Sequence, residues 1–339
     1  MALFKVTQDV AIDLGTANTI IIYNGKIVVN APSIVALEAR DRKLVAVGHK
    51  AQQMEGRTPD GIITVRPLRD GVIADFYAAE QMMRGMIKIA MGGHHLFSPQ
   101  LRMVVGIPSG STEVEIRAVR DSSEHAGGKD VYMLYEPMAA AIGIGMDVLA
   151  PEGNMVVDIG GGSSEIAVIS LGGLVTNNSI RVAGNDLTHD IMDYMRRQHN
   201  IRIGMPTAEQ IKINVGSALT VLENPSEDFI VRGPNVMTAL PMEVPVSYQE
   251  VAHCIEKSIA KIEAAVLTGL EQTPPELYAD IVRNGIWLTG GGALLRGLDK
   301  RLQDKIGIKF HVADDPLLSV AKGTGLALKR IADYPFLLR

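Results

Sequence analysis

Val10-Ala-Ile-Asp-Leu-Gly-Thr-Ala-Asn-Thr19 runs a short apolar segment into an aspartate and a turn of small residues, and Asn154-Met-Val-Val-Asp-Ile-Gly-Gly-Gly-Ser-Ser164 does the same. A shift of 145 residues carries Asp13 onto Asp158, Leu14 onto Ile159, Gly15 onto Gly160 and Thr19 onto Ser164. Each turn is followed by a second apolar run, residues 20–23 and 166–169, and each run ends on a turn signal, Asn24-Gly25 and Gly172-Gly173. Asn-Gly is the strongest short hairpin signal, because a type I′ turn needs positive φ at both central positions. A device repeated at long period outranks local readings of the chain. It predicts two related domains that face each other, each offering one loop to a shared cleft.

The segments between the repeats read as alternating strands and helices. Apolar runs at 101–107, 131–135 and 285–289 have strand length, while Thr112-Glu-Val-Glu115, Thr207-Ala-Glu-Gln210 and Ser247-Tyr-Gln-Glu250 have the form of capping boxes that open helices. The first of these helices is expected to stop near Gly127-Gly128 and the last to run to about Gly269. Pro137 fits the first turn of a helix through 138–142. The class is therefore α/β. The expected division is a first domain over residues 1–150 and a second over 151–316, with 317–339 packing back on the first. A small subdomain at about 185–250 includes the proline- and glycine-punctuated stretch 221–246.

Composition narrows the function. With 339 residues the chain has room for two domains, and 47% hydrophobic against 21% charged residues supports a large core. The 33 Lys and Arg are outnumbered by 38 Asp and Glu, a formal charge of −5, so the positive excess used in nucleic-acid binding is missing. The lone Cys254 excludes an internal disulfide framework and a paired-cysteine zinc module, and fits a reducing compartment. Mean hydropathy is +0.15, yet no apolar run reaches the roughly 18 residues of a membrane span. The first nine residues lack the pattern of a secretory signal. The expected location is cytoplasmic, either soluble or held at a membrane surface.

Glycine-rich turns after strands let backbone N–H groups approach a phosphate. Three qualify: Gly15-Thr16, Gly160-Gly161-Gly162, and Gly290-Gly291-Gly292, which leads into Ala293 and what reads as a helix start. An aspartate just before two of them repels phosphate unless a cation intervenes, so Asp13 and Asp158 are read as ligands of Mg²⁺ through its waters. Other nucleotide and hydrolase signatures are missing. Gly128-Lys129 is followed by Asp130 rather than a P-loop hydroxyl, Gly323-Thr-Gly325 lacks a third glycine, and there is no nucleophile elbow. The adjacent His94 and His95 do not share a helix face and read as a surface pair.

These motifs resemble the actin-like ATPase superfamily of actin, Hsp70-type chaperones and sugar kinases. Its first phosphate loop is similar to Asp13-Leu-Gly-Thr16, its second to Asp158-Ile-Gly-Gly-Gly162, and its adenosine loop to Thr289-Gly-Gly-Gly-Ala293. Within it the chain resembles the MreB family of bacterial cell-shape actins. The likeness is carried by residues 11–19 and 66–76, by Tyr135-Glu-Pro-Met-Ala-Ala-Ala-Ile-Gly143, by residues 288–298 and by Val312-Ala-Asp-Asp-Pro316. The resemblance implies an actin-like, ribonuclease H-like fold in which each domain carries a small appended subdomain, with ATP and Mg²⁺ in the cleft. It implies that Gly15, Thr16, Ala17, Asn18, Gly160, Gly161, Gly162, Ser163, Gly290, Gly291, Gly292 and Ala293 contact the nucleotide. Glu136 is implied as the acid that orients the attacking water, although a helix start favours a glutamate by its dipole alone. Ser164 stands where the family usually has a water-positioning Thr. Glu209 and Lys212 match a pair that contacts ribose and purine, while from spacing alone they read as an i,i+3 salt bridge.

The family's second property is membrane contact. Leu96 and Phe97 lie in the polar, glycine-flanked stretch Gly92-Gly-His-His-Leu-Phe-Ser-Pro99, and Leu3 and Phe4 offer a shorter apolar pair at the start of the chain. An apolar pair on an exposed loop can enter the bilayer interface, and packing beneath the loop is the competing reading. The resemblance implies an ATP-hydrolysing protein that polymerises with itself at the inner face of the cytoplasmic membrane. There it would meet membrane proteins of the elongation machinery, organise cell-wall elongation and maintain rod shape. The alternative is a sugar kinase-like phosphotransferase of the same superfamily.

Overall fold

The structure, a computed structural model, describes residues 7–92 and 100–339. In the first half the order is β1 (Thr7–Leu14), β2 (Asn18–Tyr23), β3 (Lys26–Pro32), β4 (Val35–Glu38), β5 (Leu44–Val47), α1 (His49–Met54), β6 (Ile62–Val65), β7 (Leu68–Arg69), β8 (Val72–Ile73), α2 (Phe76–Ala90), β9 (Gln100–Ile107), α3 (Glu113–His125), β10 (Gly128–Tyr135) and α4 (Glu136–Gly143). The second half continues with β11 (Asn154–Ile159), β12 (Ser164–Ser170), β13 (Gly173–Ile180), α5 (Gly184–Gln198), α6 (Met205–Val215), β14 (Phe229–Pro234), β15 (Pro241–Val246), α7 (Tyr248–Cys254), α8 (Glu256–Glu271), α9 (Pro275–Asn284), β16 (Ile286–Thr289), α10 (Leu298–Ile306), β17 (Phe310–Val312) and α11 (Ser319–Lys329).

The repeat in the sequence is a repeat in the sheets. One five-stranded sheet is ordered β3-β2-β1-β9-β10 and the other β13-β12-β11-β16-β17. In each, the first three strands form an antiparallel meander and the last two join parallel. The Asn24-Gly25 turn has positive φ at both residues, 50° and 77°, as its hairpin demands. A three-stranded sheet, β5-β4-β6, and the β7–β8 hairpin attach to the first half, and the β14–β15 hairpin to the second.

Thr112 and Ser247 cap α3 and α7 through complete capping boxes. Three local expectations fail. Thr207 does not cap its helix: α6 begins at Met205, because Pro206 supplies the preset φ of a first helical turn. The helix opened by Ser247 divides at Ile255 into α7 and α8. After Gly290 the chain makes only a 3₁₀ turn over Gly291–Leu294; α10 waits until Leu298, since Gly297 is left-handed at φ 72°.

Three large clusters of apolar side chains fill the molecule. One lies in each half. The third spans both, joining Val104 and Leu134 of the first sheet to Val156 and Ile169 of the second through Ala140 of α4 and Val320 of α11. There α4 and α11 approach backbone to backbone: a Cβ on Gly323 would lie 1.7 Å from the Ala139 carbonyl oxygen, and one on Gly143 1.9 Å from that of Ser319.

Candidate functional site: a cleft of three glycine loops and four carboxylates

The loop after β1 is braced from below. The Ser33 hydroxyl donates to the Gly15 carbonyl at 2.6 Å and lies 2.8 Å from the Thr19 hydroxyl, and the Ser33 N–H donates to the Ala17 carbonyl. Thr16 is buried, with its hydroxyl accepting the Gly71 N–H at 3.0 Å; Asn18 is exposed and starts β2. The loop after β11 presses directly on this one, as a Cβ on Gly161 would sit 2.6 Å from Ala17 Cβ. It is tied to the start of α5, where Gly184 N–H and Asn185 N–H donate to the Gly160 and Gly161 carbonyls. The third loop packs behind the second. Gly290 has φ 78°, and a Cβ there would meet the Ile159 carbonyl oxygen at 2.3 Å and Asp158 Oδ1 at 2.8 Å. Gly292 is backed against Ile159, and Ala293 is buried. All three predicted loops therefore converge.

Carboxylates gather at the ends of the strands feeding these loops. Asp13 is half-buried; burial and then the charge of Asp158 push its carboxyl up to about 7. Asp158 is pushed up to about 6, mainly by burial, with Glu165 adding to it and the Thr289 hydroxyl, which donates to Oδ1 at 2.8 Å, opposing. Glu136 is the first residue of α4, 9% exposed. Burial, then Glu165, Asp13 and Asp158 in that order, hold it well above the usual carboxylate range despite the helix dipole. Among the described residues none of the four acids forms an ion pair. Nor do three or more His, Cys, Asp or Glu side chains there form a direct metal-binding group. Clustered carboxylates that hold their protons in the absence of a cation, without a chelating set among the described residues, fit a hydrated cation.

The remaining predicted residues fall in two places. Ser163 is buried beside Gly71, and Ser164 is fully buried with its hydroxyl donating to the Val182 carbonyl at 2.7 Å, which leaves its oxygen free only to accept. Lys212 and Glu209 do form the i,i+3 ion pair at 2.8 Å. Lys212 also donates to the Gly184 carbonyl at 2.8 Å and the Thr188 hydroxyl at 2.9 Å, so the pair stands one layer behind the second loop. Leu3, Phe4, His94, His95, Leu96 and Phe97 lie outside the described residues.

Sequence reasoning missed two contributors. The Asp70-Gly71 turn of the β7–β8 hairpin reaches both loops, contacting Thr16 and Ser163. Its signal was the Asp-Gly pair inside residues 66–76, with positive φ at both positions. The other is Glu165, a carboxylate in a strand that is buried at every residue.

Two sheets of one topology, facing across paired strand–aspartate–glycine loops, define a protein of the actin-like fold. The model of the MreB/Mbl protein family matches residues 7–335, and the chain belongs to that family. The cell shape-determining protein Mbl of Bacillus subtilis is 45% identical over 330 residues, covering 97% of this chain and 98% of that one. The cell shape-determining protein MreB of Escherichia coli is likewise 45% identical over 330 residues, 96% of this chain and 94% of its own. Among solved structures, MreB 5 of Spiroplasma citri bound to AMPPNP superposes with a TM-score of 0.90 at 36% identity, covering 97% of this chain and 98% of its own. These relatives favour the cell-shape reading over the sugar-kinase alternative.

Proposed function

We propose that this chain is an ATP-dependent bacterial actin that binds ATP and Mg²⁺ in the cleft, hydrolyses it slowly, and polymerises with itself at the inner face of the cytoplasmic membrane to organise cell-wall elongation. The observation that carries this reading is the convergence of two matched glycine loops on Asp13 and Asp158, which among the described residues have no cationic side chain paired with them. The relative from Spiroplasma citri was solved with AMPPNP, and the Bacillus and Escherichia relatives are cell shape-determining proteins, which supports it further. The two halves serve as actin-like domains, residues 1–150 and 151–316, with 317–339 returned to the first.

Backbone N–H groups of Gly15, Thr16, Gly161, Gly162 and Ser163 would hold the phosphates, with Gly160, whose own N–H donates to the Ser163 carbonyl, shaping the second loop; the turn at 290–293 would meet the adenosine. Bound Mg²⁺ would supply positive charge between the phosphate oxygens and the carboxylates of Asp13 and Asp158. Thr289 keeps Asp158 oriented by its 2.8 Å hydrogen bond. Glu136 would orient the attacking water and, once ionised, take its proton. The Ser164 oxygen can accept from the same water. Glu209 and Lys212 would meet ribose and purine only by releasing part of their present hydrogen bonding. Among the described residues no helix is long and apolar enough to cross a membrane, so attachment falls to Leu96 and Phe97, with Leu3 and Phe4 in support. Repetition along a filament turns weak single contacts into stable attachment.

The test is nucleotide binding and sedimentation. Wild-type protein should bind ATP only with Mg²⁺ and pellet with it, while Asp158→Ala should do neither. An Asp158→Ala variant with unchanged affinity and hydrolysis removes the two-loop site.

A further inference from the structure

Glu165 breaks the internal repeat. The shift that carries Asp13 onto Asp158 carries Ile20 onto Glu165, and the strand registers agree: Asp13 pairs with Ile20, and Asp158 with Glu165. Where the first sheet has a core isoleucine, the second has a fully buried carboxylate. A buried carboxylate is unfavourable unless hydrogen bonds replace its water. Among the described residues no cationic side chain pairs with it; its donors are neutral, and they come from both sides of the cleft.

Glu165 is one of a row of side chains, one from each of four adjacent strands, since Thr289 pairs with Asp158, Asp158 with Glu165, and Glu165 with Ser179. Directly paired residues project from the same face of a sheet. Within the row Thr289 donates to Asp158 at 2.8 Å and Ser179 donates to Glu165 Oε1 at 2.7 Å. The other oxygen, Oε2, crosses to the first half, where it accepts the Ser109 N–H at 3.1 Å and competes with Asn177 Oδ1 for the single Ser109 hydroxyl proton. Asn177 of β13 seals the same junction by donating to the Ser109 carbonyl at 3.0 Å. The approach is close enough that a Cβ on Gly110 would lie 2.8 Å from Ser179 Cβ. Ser109 follows β9, and Ile107 at the end of β9 pairs with Tyr135, the residue before Glu136. Whatever pins residues 108–110 therefore pins Glu136 relative to the second loop.

We propose, resting on the ATP-cleft reading above, that Glu165 is a positioning residue that latches the two halves through Ser109, so that turnover proceeds only when the cleft is drawn to the distance at which Glu136 faces the phosphates. A charged acceptor suits a latch. It loses its Ser109 donors when the halves part and is then solvated by water, so the open and closed arrangements compete for one carboxylate. Nucleotide contacts are made by the glycine loops, so affinity should survive its loss.

The experiment compares wild type, Glu165→Gln, Ser109→Ala and the double variant in the full chain. It measures ATP affinity, phosphate release at saturating Mg²⁺ and ATP, pelleting and thermal unfolding. Glutamine keeps the length but only one accepting oxygen. The expected result for Glu165→Gln is a fall in kcat of tenfold or more with affinity changed less than threefold. Ser109→Ala should show a smaller fall, and the double variant should be no worse than Glu165→Gln alone, because both break one connection. Wild-type kcat in both single variants, or additive losses in the double, overturns the latch. A loss of affinity with kcat retained overturns it as well, assigning Glu165 to nucleotide contact. If Glu165→Gln does not fold, Ser109→Ala and Ser179→Ala decide the matter by the same split between kcat and affinity. Failure of the wild type itself to bind Mg²⁺ and ATP would remove the cleft reading, a different outcome from normal turnover in the variants.

Discussion

Glu136 owes its place to its neighbours in the chain: Tyr135 ends β10 and caps α4, and Pro137 sets the first turn of the helix that Glu136 begins. Glu136→Gln keeps that geometry and removes the base, so ATP binding and pelleting should persist while phosphate release falls by about 10²–10⁴-fold. Asp13 and Asp158 give a pH signature of their own. Their folded values, about 7 and about 6, exceed the ordinary 3.8, so between these limits the folded chain holds protons that the unfolded chain has released. The nucleotide-free protein should therefore lose stability as pH rises from about 5 to 7.5, since stability falls wherever the folded state binds more protons. A melting temperature that rises over this interval without ligand would contradict the assignment. Asp13→Asn should flatten the slope, and Mg²⁺ with ATP should reverse it by favouring the ionised forms. These aspartates were legible in the sequence because an acid beside a glycine turn is a local pattern. Glu165 carried no such pattern, and the Asp70-Gly71 pair marked a turn but not its destination, because both roles arise from contacts 56 and 55 residues away in the chain.

Elements were legible where the determinant was local too. The boxes at Thr112 and Ser247 and the Asn24-Gly25 turn carry their whole instruction within four residues. The start of α6 and the delayed start of α10 turned on single residues, Pro206 and Gly297, that outweighed the nearby pattern. The crossing of α4 and α11 could not be read at all, because Gly143 and Gly323 are far apart in sequence and matter only where they meet. Gly323→Ala forces a Cβ toward the Ala139 carbonyl oxygen, and should cost on the order of 3 kcal/mol, at the upper end of ordinary overpacking. Gly61→Ala, which has open space around its Cβ position, is the control and should melt like the wild type.

For the whole molecule, the duplicated sheet order was foreshadowed by one 145-residue shift, since a repeated strand–turn–strand pattern survives in sequence when its partners do not. Attachment to a membrane is testable at this scale. Under the proposed attachment, burial of Leu96 and Phe97 in the interface would contribute about 3–5 kcal/mol per subunit. Leu96→Ser with Phe97→Ser should leave polymerisation in solution intact and abolish co-sedimentation with liposomes; a double variant that still binds lipid moves the anchor to Leu3 and Phe4. The apolar cluster shared between the halves has a calorimetric consequence. Val156 and Ile169 lose their packing as soon as Val104 and Leu134 are exposed, so neither sheet can come apart while the other stays intact. Heating should give a single endotherm whose van't Hoff and calorimetric enthalpies agree, even though the chain is built from two copies of one architecture. Limited proteolysis should accordingly release no stable half-molecule.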